Sequence, residues 1–172
     1  FRGDTETYLY DALDRLETLS DPLGDFDYSY DARTARILAV QHRVGGIDGV
    51  RTDLSYQSKI AGGQQRQLPF LEGIHHTAPG GDTIASHRYL RNENGWIDHW
   101  QQNDGSQWQS HGYRYDQAGQ LESARHYDGL DANSPLLERH EYRYDRAGNR
   151  RLNQDTSGQI NAKGGTRDKR KI

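Results

Sequence analysis

Tyr113-Arg114-Tyr115-Asp116-Gln117-Ala118-Gly119-Gln120-Leu121 returns further along the chain as Tyr142-Arg143-Tyr144-Asp145-Arg146-Ala147-Gly148-Asn149-Arg150. The centre of each copy is a turn. Asp116 or Asp145 offers a carboxylate to backbone N–H groups two residues on, and Gly119 or Gly148, three residues later, accepts the left-handed backbone that closes it. Before the turn, Tyr113 and Tyr115, or Tyr142 and Tyr144, are spaced by two, which puts both rings on one face of an extended strand. Strand, turn, strand is therefore the unit.

The same chemistry recurs outward from these copies. Tyr8, Tyr10 and Asp11 lead into Asp14, and Tyr28, Tyr30 and Asp31 lead into Thr34. Asp21-Pro22-Leu23-Gly24, Asn92-Glu93-Asn94-Gly95 and Asp155-Thr156-Ser157-Gly158 read as further turns, and Asn103-Asp104-Gly105 and Asp128-Gly129 as hairpin signals. Return strands place Leu16, Ile97, Leu121 and Ile160 at similar offsets past their turns. The intervening segments, about six to nine residues, suit strands and are too short for packed helices. The fold class is all-β, an antiparallel meander of hairpins. Arg36 to Val44 fits either a short helix or a strand. The stretch 45–82, punctuated by Gly45-Gly46, Gly62-Gly63 and Pro79-Gly80-Gly81, is expected to hold degenerate strands joined by longer loops.

Composition sets outer limits. The chain has 172 residues, of which 32% are hydrophobic, with eleven Tyr, three Trp and no Cys or Met. Aromatic rings with polar tips can build a core where aliphatic residues are few. Without cysteine, disulfides, thiolate metal sites and cysteine nucleophiles are excluded. No apolar run is long enough for a membrane-spanning helix. Net charge is −3. Lys163, Arg167, Lys169, Arg170 and Lys171 against Asp168 give the end of the chain +4, which leaves −7 for the rest. An acidic body is a poor partner for a phosphate backbone, so no nucleic acid is expected, and 161–172 reads as a basic flexible tail. The opening Phe and the lack of Met suggest a piece of a longer polypeptide.

Over 5–34 and 111–150 the repeated units resemble the YD repeat of the Rhs family, the tandem unit of bacterial polymorphic toxins, toxin-complex shells and animal teneurins. The likeness weakens at Tyr89-Leu90-Arg91-Asn92-Glu93-Asn94-Gly95, where Arg91 and Asn92 replace the second Tyr and the Asp, and is absent from 45–82. The resemblance implies a long sheet spiralling into a shell around a toxic segment, in a secreted or exported bacterial protein. The family's autoproteolytic aspartate site is not recognisable. Asp21-Pro22-Leu23-Gly24 is read as an ordinary turn. About a dozen strands roughly 4.8 Å apart span under about 60 Å, which is an arc of a shell rather than an enclosure.

Candidate chemistry sits in the histidines and tryptophans. His87, His111 and His140 hold one repeat slot, two residues before Tyr89, Tyr113 and Tyr142. With His99 on the return strand, His87, His99 and His111 could meet as a zinc or nickel site, and His126 could approach His140. Strands two apart lie about 9.5 Å apart, which suits bonds near 2 Å badly. No metal or other cofactor is therefore expected. His75 and His76 are placed in a loop. Trp96, Trp100 and Trp108 fall on one hairpin, where they could stack on a sugar or fill cross-strand space. No catalytic residues are assigned: the chain lacks a nucleophile elbow and a phosphate-binding glycine loop.

Sequence alone thus gives repeat hairpins over 1–44 and 83–160, a degenerate region over 45–82 and a tail over 161–172. The first functional expectation is a non-catalytic wall segment whose partners are the rest of an Rhs-type shell and an enclosed toxin segment. A glycan-binding module using Trp96, Trp100 and Trp108 is the alternative, and a His-based metal enzyme or hydrolase the third.

Overall fold

The computed structural model describes residues 5–32, 34–61 and 64–157. Its strands are β1 (Thr7–Tyr10), β2 (Leu16–Asp21), β3 (Gly24–Tyr30), β4 (Ile37–Val44), β5 (Ile47–Ala61), β6 (Gln64–Thr77), β7 (Thr83–Arg91), β8 (Ile97–Asn103), β9 (Trp108–Tyr115), β10 (Leu121–Tyr127), β11 (Leu136–Tyr144) and β12 (Arg150–Ser157). Sheet order is sequence order from β1 to β12. This is the all-β antiparallel meander, and no described residue is helical. The chain divides into two compact units, 1–86 and 87–172, with the division inside β7.

Four of the expected turns form with one hydrogen-bond pattern. In the first unit the Asp11 N–H donates to the Arg15 carbonyl and the Asp14 N–H to the Asp11 carbonyl. In the second unit the same two bonds close Asn92–Trp96, Asp116–Gln120 and Asp145–Asn149. The side chain does the rest: Asp116 Oδ1 accepts from the N–H groups of Ala118 and Gln120, both at 2.9 Å. Gly119, at φ +80°, supplies the left-handed residue, giving the turn-plus-bulge geometry of a three-residue hairpin. Asp14 holds that slot at φ 57° without being glycine, a region Asp tolerates better than most residues. Across β8 and β9, N–H groups of Gln107 and Ser106 and the Ser106 hydroxyl hold the Asp104 carboxyl down to about 2.

A second device repeats with the turns. In four return strands the first residue has its carbonyl capped by a tyrosine hydroxyl from the next strand. Tyr30 donates to Leu16 at 2.7 Å, Tyr56 to Ile37 at 3.0 Å, Tyr115 to Ile97 at 2.8 Å and Tyr144 to Leu121 at 3.0 Å. The residue just before that carbonyl covers the tyrosine ring in three of the four. The Arg15 and Arg36 guanidinium groups each lie 4.6 Å from the Tyr30 and Tyr56 ring centroids. Trp96 packs on Tyr115 at 5.1 Å. Tyr56 shows that the repeat runs on into the stretch where the sequence lost it.

Three expectations change. Residues 45–82 are expected from sequence to hold degenerate strands joined by longer loops, yet among the described residues β5 and β6 are the longest strands, 15 and 14 residues. Arg51, Asp53 and Ser55 tolerate a strand there because neither sheet face is deeply buried. Pro69 falls at 68–70, where the β5–β6 register skips from Leu71 to Gln67 and no ladder N–H is required. Asp155 does not open a turn but pairs with His140 in β12, since the partner β11 continues alongside it and pairing outweighs local turn chemistry. His75 and His76 are strand residues of β6, bonded to Thr83 Oγ1 at 3.0 Å and Thr52 Oγ1 at 2.9 Å. The ambiguous Ile37–Val44 is a strand. Gly158, Ile160, Gly62-Gly63 and the tail over 161–172 lie outside the described residues.

Burial is sparse. Among the described residues only Ala39, Tyr127, Ser110 and Ser123 are buried. A single sheet layer leaves both faces half-wet, which is why a chain so poor in aliphatic residues can adopt it.

Candidate functional site

The second unit carries the richest chemistry, and register decides which side chains meet. Trp100 on β8 lies opposite His111 on β9, and His111 lies opposite His126 on β10. Side chains at directly paired positions share a face, so the three rings stack across three strands. Ring centroids are 4.7 Å apart for Trp100 and His111 and 4.3 Å for His111 and His126, with planes 18° and 10° from parallel. On β7, His87 continues the row at 5.9 Å from Trp100, whose indole N–H donates to His87 Nδ1 at 3.4 Å. At the other end Glu138 lies opposite His126 and pairs with His140 at 3.2 Å.

His99 is not part of this row. It pairs in register with Gly112, one residue away from the Trp100–His111 pair, so it projects to the opposite face. There its ring lies beside Tyr127 over Gly112, where a Cβ would stand 3.5 Å from His99 and 3.6 Å from Tyr127. The three imidazoles proposed from sequence are therefore not brought together. His111 and His126 do meet, but face to face, and stacked rings aim their in-plane lone pairs along parallel lines rather than at one point. Among the described residues no group of three or more His, Asp or Glu is arranged to hold a metal ion.

The tryptophans are also separated. Trp96 is held between Tyr115 and the next turn, where a Cβ on Gly119 would come within 2.8 Å of its ring. Trp100 is the second rung of the ladder. Trp108 pairs with Asn103, an odd number of residues from the Trp100–His111 pair, so it faces the other way and is exposed. The β8–β9 register, which parity along one strand does not encode, is what turns Trp108 away from Trp100.

Three comparisons bear on kinship. No protein-family model and no curated protein matches the chain. Among solved structures, that of TcdB2-TccC3 is similar at 21% identity and a TM-score of 0.48, covering 90% of this chain. The structure of TcdB2-TccC3 without its hypervariable C-terminal region gives 20% identity and a TM-score of 0.46, again over 90% of this chain. This chain spans about 9% of the length of either.

Electrostatics make the ladder sensitive to acid. Burial pushes the His111 imidazole below its ordinary value, the neighbouring His126 adds to this, and Glu138 opposes it. His111 Nε2 is buried with no acceptor, so a proton there would have nothing to bond. The folded chain thus binds less proton than the unfolded one once pH falls below the ordinary histidine value of about 6.5. Its stabilising contribution is complete above that value and is lost as pH falls toward the lowered one. We expect the urea midpoint to drop between neutral pH and mild acid, and to drop less in His111→Phe, which keeps the stack but cannot titrate.

Proposed function

We propose that this chain is a non-catalytic length of β wall, one arc of a YD-repeat shell in a secreted or exported bacterial protein. Its partners in this reading are the adjoining repeats of that shell and an enclosed toxin or other protein segment. The observation that carries the reading is the capping of a strand-opening carbonyl by a tyrosine hydroxyl at four hairpins. A device repeated in that way serves extension, because each hairpin is finished by the strand that follows it. The sparse burial supports the same reading, since a single layer gains stability from whatever covers or continues it.

The test is the native mass of the complex containing this chain, by light scattering and intact mass spectrometry on material from its own source. Co-migration with further repeat sequence in a large particle is the expected result. A 19.7 kDa monomer with no affinity for flanking repeats or cargo would sink the reading.

A further inference from the structure

On the face opposite the histidine ladder, β9, β10 and β11 gather four arginines around a cleft of about 160 Å³ lined by Arg114, Glu122, Ser123, Arg125, Arg139 and Arg143, with Glu141 and Tyr142. Arg125 lies directly opposite Arg139 in the β10–β11 register, and like charges in direct cross-strand pairs are destabilising. One carboxylate answers them: Glu141 pairs with Arg139. Arg114, Arg125 and Arg143 make no ion pair among the described residues. The Nε atoms of Arg125 and Arg139 are buried with no acceptor. The cleft has a small floor, because the position between Arg114 and Glu141 in register is the buried Ser123. Four guanidinium groups against two carboxylates leave a positive site in an acidic chain.

We propose that this cleft binds a doubly charged tetrahedral oxyanion, a phosphate or sulfate group. The guanidinium fork matches such oxygens. Arginines reach the cleft from three strands, which suits a group with acceptors pointing in several directions. The bound anion supplies the missing acceptors for Arg125 and Arg139 and removes their mutual repulsion.

The experiment is the melting midpoint of the intact chain in inorganic phosphate, sulfate, malonate or chloride at matched ionic strength. Phosphate and sulfate raise the midpoint above chloride by about 2–4 °C at a few times the dissociation constant, and malonate, a dianion of two carboxylates rather than one tetrahedral group, raises it less. Arg125→Gln abolishes that rise. In chloride the same variant melts higher than the parent, because the opposed cations are gone. Arg114→Gln, at the exposed rim, weakens the phosphate response without that gain and gives a second reading if Arg125→Gln fails to fold. Phosphate acting no better than chloride, an equal rise in Arg125→Gln, or malonate matching phosphate would each overturn the assignment.

Discussion

Gly24→Ala is expected to destabilise the first unit by about 2–4 kcal/mol, from backbone strain and overpacking together. Gly24 closes the Asp21–Gly24 turn between β2 and β3 at φ +136°, a region that costs any residue with a Cβ. Space is the larger problem. A Cβ there would stand 2.1 Å from the Arg43 carbonyl oxygen and 3.0 Å from His42 Nε2. The oxygen belongs to the backbone of β4 and cannot swing aside as a side chain could. His42 is also fixed, stacked on Phe26 at 4.7 Å and bonded to the Leu23 carbonyl at 3.1 Å. Gly45→Ala is the control: its φ is +59°, and a Cβ there meets nothing within 4 Å. It should cost about 1 kcal/mol, the left-handed penalty alone. Urea denaturation of both variants checks this, and equal losses would refute the β4 contact as the cause.

Trp100→Ala should cost about 2–3 kcal/mol, less than a fully buried tryptophan because this one is half-buried. The indole is the one rung joining His87 to His111, and its loss opens a gap between β7 and β9 that no small side chain fills. Trp100→Phe should recover most of the loss, since the stacking surface returns while the N–H to His87 Nδ1 does not. Denaturation followed by far-ultraviolet circular dichroism measures both. If alanine and phenylalanine are equally harmful, the hydrogen bond rather than the stack holds that position.

Local chemistry was readable from the residues, and long-range register was not. Asp116, Gly119, Asp145 and Gly148 announce their turns because the carboxylate and the left-handed glycine act within five residues. Tyr113 and Tyr115 announce their shared face because a strand has period two. What Tyr115 does there, capping Ile97 across the hairpin, depends on where β8 begins, which single-strand periodicity does not encode. Ala78-Pro79-Gly80-Gly81-Asp82 closes with the same two backbone bonds as the aspartate turns. It lacks the leading carboxylate by which the others are recognised, so from sequence it reads only as punctuation of 45–82. Tyr56 was missed for a related reason: no turn aspartate follows it at the usual distance. For the site, the repeat slot of His87 and His111 was visible, but a one-residue register difference separates a row of three imidazoles from a stack with Trp100 inserted and His99 behind it.

Within each unit the contacts run between strands consecutive in sequence, from β1 to β6 and from β8 to β12. Such a chain needs no distant segment in order to begin folding, because each contact closes a short loop. As the polypeptide leaves the ribosome, a completed hairpin can serve as the template for the next. Order of appearance and order of assembly then coincide. The order of synthesis can then set the order of folding, each new strand adding to an edge already in place.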